Sequence, residues 1–425
     1  MSNDAAISFH RNTAEELSAR YAADGHAPDG WREAAVWHWE QAGNPAEIAR
    51  LALEIVELKV TRLDFVPARQ WVERALTAIG HLPADVQLGF ELRACTLALA
   101  VLEFGGQYRE GLEYARRMLR SSREQGSIEA EARAQLAIGR MQRELGQLAA
   151  AAATMQKARE LAERDELSEL EAEVRLHLAK VHQLQGRHLE ALQELQIARE
   201  SGEQQDNQLR LARVFTGIGD IYRVLGSSEQ AQSFYLRALS LEQGSGNVLG
   251  QAMLKDKLAL VAFDNGRFGE AIASAEESLV LRERLRDVVG QARSYTVLGT
   301  ILGRTGRYDR ALAYLQRARE LQEEIQNLRG QGIALLHLGD VARMMGRFDT
   351  AHASYASAQE LARRDGDQVG MARSLERLGD MHFEEGHRDK ANISWAEALR
   401  IRESLRHVDE ATMLRSRIQN GVPRR

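Results

Sequence analysis

The sequence predicts an all-α solenoid of about eight to nine helical hairpins. Three observations carry that reading. First, Gly106, Gly146, Gly186, Gly226, Gly266, Gly306, Gly346 and Gly386 stand on one forty-residue lattice. A fixed period in this range marks stacked repeats of one supersecondary unit. Second, alanine follows five residues later in every repeat but the first, which has Gly111. Third, each unit holds two apolar stripes at helical spacing, such as Ala292, Tyr295, Leu298 and Leu302, then Ala311, Leu315, Ala318 and Leu321. The lattice glycine between the stripes suits the left-handed conformation that ends a helix. Small Gly299, Ala311 and Ala318 fall where two helices must approach closely.

Residues 1–85 lie off the lattice. Phe9 to Ala23 reads as a helix, and Asp24 to Gly30 as a loop around Pro28. Trp31 to Ala42 reads as a second helix, and Asn44-Pro45 opens a third with proline in its first turn. Phe65 to Ile79 is a fourth. In the run Trp37-His38-Trp39, aromatics near the end of an array read as core and capping. Residues 86–405 are then eight repeats without linker or insertion, those around Gly106, Gly146 and Gly186 being more divergent. Residues 406–425 are a capping helix over His407 to Gln419, which covers the last apolar seam, and a basic tail from Asn420 to Arg425.

Composition bounds the function classes. The chain of 425 residues has a formal net charge of −5, which implies neither nucleic acid nor a membrane as partner. Cys95 is the only cysteine, in keeping with a reducing, cytoplasmic setting. No apolar run approaches the ~20 residues that span a bilayer. No phosphate loop or dinucleotide fingerprint occurs. His177 and His182, like His382 and His387, are five apart, which points them to different helix faces or into a turn. The sequence reading is therefore a non-enzyme with no catalytic residues, no cofactor and no metal site.

The pattern Leu-Gly, then Gly-x-Tyr/Phe-x-x-Ala, then a spaced alanine and a hydrophobe, resembles the tetratricopeptide repeat over roughly residues 86–405. The forty-residue form, with Gly250-Gln251-Ala252 and Gly290-Gln291-Ala292 opening first helices, is similar to LGN-type scaffolds and to the sensor arrays of bacterial STAND-type signalling ATPases. The strings FHRNTAEELSARYA and AAVWHWEQAGNPAEIARLAL resemble the junction that precedes the sensor in the latter. The resemblance implies a right-handed solenoid whose first helices line an inner groove.

In such units the inward positions lie thirteen, six, three and two residues before the loop glycine. They are Arg133, Arg140, Arg143, Lys180, Arg213, Asp220, Arg223, Arg293, Arg304, Asp340, Arg343, Arg373 and Asp380. Phe263 and Ile333 are apolar islands among them, with Met253, Leu260, Met344 and Phe383. Such a groove suits an acidic protein or peptide segment with apolar anchors. Against this, Asp220 with Arg223 and Asp340 with Arg343 are three apart and are expected to pair with each other. The asparagine ladder of LGN-like arrays is absent, and the carboxylate clamp of chaperone cofactors is not matched. Two function classes remain. One is a scaffold or sensor for a protein segment, and the other is the ligand-sensing arm of a signalling ATPase or transcriptional regulator.

Overall fold

The computed structural model describes residues 3–21 and 30–420. All the regular structure among them is α-helical. The described residues form two compact units, residues 1–137 and 138–425.

The first unit begins with α1 (Asn3–Tyr21), α2 (Trp31–Ala42), α3 (Pro45–Thr61), α4 (Phe65–Ile79), α5 (Ala84–Phe104) and α6 (Tyr108–Glu124). The expected bounds of α2 and α4 are met, and α1 starts earlier than the sequence implied. The loop expected at Asp24 to Gly30 lies outside the described residues except for Gly30. Asn44 caps α3 by accepting from the Glu47 N–H at 3.3 Å, with Pro45 in the first turn. Trp39 is buried with Trp31, Val36 and Ile55. Trp37 is half exposed and stands beside His10 and His38, so only part of that aromatic run is core. Cys95 is buried in α5, and loss of solvent pushes its thiol up to about 12, where it is unreactive.

Helix α7 (Ile128–Glu144) spans the division between the units. The second unit continues with α8 (Leu148–Arg164), α9 (Ser168–Leu184), α10 (His188–Gln204), α11 (Gln208–Val224), α12 (Ser228–Gly244), α13 (Val248–Asp264) and α14 (Phe268–Leu285). Then come α15 (Val288–Arg304), α16 (Tyr308–Glu324), α17 (Leu328–Met344), α18 (Phe348–Asp365), α19 (Gln368–Glu384), α20 (Arg388–Ser404) and the closing α21 (Val408–Asn420). From α9 to α20 each odd-numbered helix packs on the even one after it, and neighbouring odd helices also touch. The odd helices thus form one layer.

Every lattice glycine has positive φ, from 70° at Gly106 to 83° at Gly386. A second set of left-handed turns lies half a repeat away, at Gly126, Glu166, Asp206, Gly246, Arg286, Gln326, Gly366 and Arg406. Five of the eight are not glycine, which hid this lattice in the sequence. In the middle repeats the residue immediately before each first helix is an Asx cap. Asn207, Asn247, Asp287, Asn327 and Asp367 each accept the N–H three residues on.

The Leu-Gly or Ile-Gly pair of the first helix explains the hairpin spacing. A Cβ on Gly219 would lie 2.6 Å from the Tyr235 ring, and one on Gly339 would lie 2.5 Å from the Tyr355 ring. Gly139 stands in the same way against Met155, Gly299 against Leu315 and Gly379 against Trp395. A large side chain from the second helix fills a notch that only glycine leaves. Ala311 and Ala351 are fully buried beside these contacts.

Stacked repeats are expected to touch only their neighbours. The second unit departs from that. Arg329, at the start of α17, donates to the Glu144 carbonyl at 2.8 Å and lies 3.5 Å from its carboxylate. His407 Nε2 is 3.3 Å from the Gly146 carbonyl, and Val369 and Leu405 crowd the same glycine. Three turns far along the chain therefore meet the turn after α7.

Gly339→Ala should destabilise the α17–α18 hairpin. The added methyl overpacks against a ring held by its hydroxyl, at a cost of ~1–3 kcal/mol. Gly332→Ala, whose Cβ would be 3.7 Å from its nearest neighbour, should instead gain up to ~1 kcal/mol of helix propensity. Hydrogen exchange of α17 and α18 reads both, and equal signs for the two variants would refute the notch.

Candidate functional site

The odd-helix layer carries a cavity of about 300 Å³ built by α7, α9, α11 and α13, with Leu195 of α10 at its floor. Leu176, Leu195, Ile221 and Met253 supply apolar wall, and Arg143, Lys180, Arg213 and Lys257 supply positive charge. Asp220 is the one carboxylate of its lining. Arg143 is held by Glu144 at 2.6 Å and donates to His177 Nδ1 at 3.1 Å. Burial, with Arg140, Arg143 and Arg213 nearby, holds the His177 pKa well below its ordinary value. The imidazole is neutral and carries its proton on Nε2. Arg213 is exposed, and no described residue forms a hydrogen bond or ion pair with its guanidinium.

Asp220 does not pair with Arg223. It accepts from Lys257 at 2.5 Å and from the Tyr235 hydroxyl at 2.7 Å, and Lys180 stands 3.3 Å away. Burial opposes the charge, but Lys257 and Lys180 overcome it and lower the Asp220 pKa. The arrangement recurs. Asp340 accepts from Tyr355 at 2.9 Å and from Arg377 at 2.9 Å, and Asp380 from Trp395 at 3.0 Å and Arg417 at 2.9 Å. In each case the aromatic group is fifteen residues on and the cation thirty-seven. For Asp380 burial wins over Arg417 and its pKa is raised. In the Gly306 repeat a neutral pair replaces the ionic one, with Thr300 Oγ1 3.3 Å from His337 Nδ1. The expected pairing within one helix is corrected: these aspartates tie hairpin to hairpin.

Two of the expected arginines are also engaged across repeats. Arg223 is 3.6 Å from Asp264 and Arg343 is 2.5 Å from Glu384. Arg304 lies over the Phe263 ring, 4.9 Å from its centroid. Arg133 is paired with Glu129 at 2.8 Å on its own helix. Arg293 is exposed on α15 with no bonded partner among the described residues, and Ile333 is half-buried on α17. Arg373 lines a smaller cavity of about 170 Å³ with Arg377, Arg402, Arg417, Glu376 and Glu410. Burial lowers its pKa, and Arg402 and Arg329 add to that.

Sequence reasoning missed the column nine residues before the loop glycine, which holds His177, Lys257, His337 and Arg377. The signal was available. Positions thirteen, nine, six and two before the glycine form one unbroken stripe at helical period. It also missed that His382, Glu385 and His387 meet: their ligand atoms all lie within 4.8 Å of one another. His387 is in a turn, as expected, but Gly386 folds that turn back over the helix end.

A tetratricopeptide repeat model matches residues 170–243, 250–324 and 331–404, just over half of the chain. The chain belongs to the tetratricopeptide repeat family. Among solved structures it is similar to a Rap protein complexed with Competence and Sporulation Factor, with 13% identity over 84% of this chain and 99% of that one, at a TM-score of 0.59. It is also similar to the apo form of the quorum sensor NprR from B. thuringiensis, with 16% identity over 84% of this chain and 98% of that one, at a TM-score of 0.51. A STAND protein with a tetratricopeptide repeat sensor from Pyrococcus horikoshii overlaps 84% of this chain and 54% of its own, with 15% identity and a TM-score of 0.49. Identities this low speak for the fold of the repeats alone. No curated protein matches the sequence. Among the described residues no helix is long and apolar enough to cross a membrane.

The buried histidines of this layer set a pH dependence. Burial holds His177 and His337 below the ordinary value of 6.5. An unfolded chain therefore takes up protons below about pH 6.5 that the folded repeats refuse, so stability falls as pH falls through that range. Above it neither form is protonated and the effect vanishes. The double change His177→Gln and His337→Gln should flatten the slope by up to two protons, about 1.4 kcal/mol per pH unit each. Denaturant unfolding at about pH 7.5 and pH 5.5 checks it. An unchanged slope would refute the neutral assignment.

Proposed function

We propose that this tetratricopeptide repeat chain binds a protein segment along its odd-helix layer, as a scaffold or sensor and not as an enzyme. The observation that carries the reading is the cavity at α7, α9, α11 and α13. Its walls are apolar, its net charge is positive, and Arg213 presents unpaired donors beside it. A carboxylate on the partner would meet a guanidinium that gives up no internal bond to receive it, while an apolar side chain fills the space beside Leu176 and Met253. Arg293 offers a second free guanidinium two repeats along. Phe263 under Arg304 is an apolar anchor between them. The partner is an acidic peptide or protein segment with apolar anchors, approached without nucleic acid or membrane. The Rap protein in complex with Competence and Sporulation Factor, which shares this fold, supports a ligand-binding role for the chain.

The sensor form of the reading draws on the contacts of the turn after α7. Arg329 and His407 join Glu144 and Gly146, one and three residues from Arg143 of the cavity. A segment that pulls Arg143 toward itself works against those contacts. That would couple binding to the spacing of the repeats, as the sensing arm of a signalling ATPase or regulator requires.

Reversing the two free arginines, Arg213→Glu with Arg293→Glu, should weaken capture of acidic peptides strongly and leave helicity unchanged. A fluorescent peptide alternating glutamate with leucine serves as probe, read by anisotropy. The control reverses Arg317 and Arg319 of α16, where Arg317 already pairs with Glu320 at 3.2 Å. Raised salt should weaken binding by the unmodified chain, since exposed charges are screened beyond about 10 Å at 0.1 M. Equal losses in both variants, or none in the first, would place recognition elsewhere.

A further inference from the structure

Outside the odd-helix layer, the turn between α19 and α20 gathers three metal-ligating side chains. His382 closes the last turn of α19, Glu385 follows it, and His387 precedes α20. Gly386, at φ +83°, reverses the chain between them. The His382 Nδ1 is 3.3 Å from a Glu385 carboxylate oxygen, and the His387 Nδ1 is 3.9 Å from the same oxygen. Around a tetrahedral zinc ion with bonds of about 2.0–2.1 Å, neighbouring ligand atoms stand about 3.3 Å apart. The spacing already present is therefore close to that of a filled site. A third imidazole, as fourth ligand, is in reach from the neighbouring repeat: the His352 ring of α18 is 6.1 Å from the His382 ring, and the His387 ring is 6.4 Å from the His382 ring.

We propose that His382, Glu385 and His387 form a site for a borderline divalent transition ion such as Zn²⁺, with His352 as the fourth ligand. Two or three imidazoles with one carboxylate match zinc and its neighbours, whereas calcium and magnesium take oxygen ligands. The site needs neutral imidazoles. His387 and His352 are exposed, so the ion has an open approach. Glu384 is not a competitor, because Arg343 holds it. The bound ion would join α18 to the α19–α20 turn and so staple the last two full repeats together. This inference does not depend on what the odd-helix layer binds.

The test is titration of the full chain with Co²⁺, followed by its visible d–d absorption, and with Zn²⁺ by calorimetry. One equivalent of each ion should bind, with the intense absorption of four-coordinate cobalt. His382→Asn with His387→Asn should weaken binding by more than the roughly 10–100-fold that changes around a metal site typically cost. Circular dichroism establishes that this variant stays folded. His352→Asn should weaken binding less and shift the d–d bands, because water then takes the fourth position. Zn²⁺ should also slow hydrogen exchange in the α19–α20 turn of the unmodified chain. The competing pair is His10 and His38, whose Nδ1 atoms are 2.9 Å apart; His10→Asn with His38→Asn should leave the stoichiometric site intact. No saturable equivalent, unchanged affinity in the His382/His387 variant, or loss of binding in the His10/His38 variant would overturn the proposal.

Discussion

Where the first helix of a repeat carries glycine after leucine or isoleucine, a large side chain of the second helix comes to rest against its backbone. Tyr235 on Gly219, Tyr355 on Gly339 and Trp395 on Gly379 are three instances. Protein interiors are packed to crystal density, so such a contact fixes the separation of the two helices closely. It also buries the residue after the glycine. In these three repeats that residue is aspartate, which cannot stay charged in a low-dielectric setting without partners. The same aromatic side chain supplies one partner through its O–H or N–H, and the first helix of the next repeat supplies a cation. A single packing notch thus sets the hairpin, and the charge it buries sets the register between hairpins. The repeats around Gly266 and Gly306 have Leu260 and Thr300 at this position, so that tie is apolar or neutral there.

The same logic divides the arginines into two groups. Buried or half-buried ones, such as Arg175 with Glu171, Glu194 and Glu163, or Arg282 with Asp256 and Asp287, are committed to holding repeats together. Removing one partner from such a group leaves an uncompensated buried charge, which is far costlier than losing an exposed pair. Arg213 and Arg293 belong to the other group. They are exposed, and their donors remain available to an incoming carboxylate. A column of like residues in sequence is therefore not one surface in chemical terms.

Contacts between distant turns give the second unit a further constraint. His407 is buried with Arg402 at its Nδ1, 3.2 Å away, and the Gly146 carbonyl at its Nε2. An arginine donates and never accepts, so the imidazole takes its acceptor role at Nδ1 and keeps its proton on Nε2. Burial lowers the His407 pKa, with Arg402 and Arg373 reinforcing it against Glu410. The turn after α7 is in this way tied to the turn before α21 by a neutral hydrogen bond, and to the start of α17 by the Arg329–Glu144 contact.

The sequence by itself determined the all-helical repeat, its period, the left-handed glycine turns, the closing helix and the bounds of α2 and α4. These follow from local rules: helical periodicity, the freedom of glycine at positive φ, and proline in a first turn. Tertiary structure decided which charges are spent and which are free. Asp220 sits three residues from Arg223 and seemed its natural partner, yet it bonds to Lys257, thirty-seven residues away, because the stacking of first helices brings that ammonium closer. The distant turn contacts at Gly146, and the meeting of His382 with His387 across a reversed turn, depend likewise on how rigid helices stack. A one-dimensional pattern gives the direction of each side chain on its own helix. It does not give the distance to the next helix, and that distance decides whether two charges pair, compete or stay open to a partner.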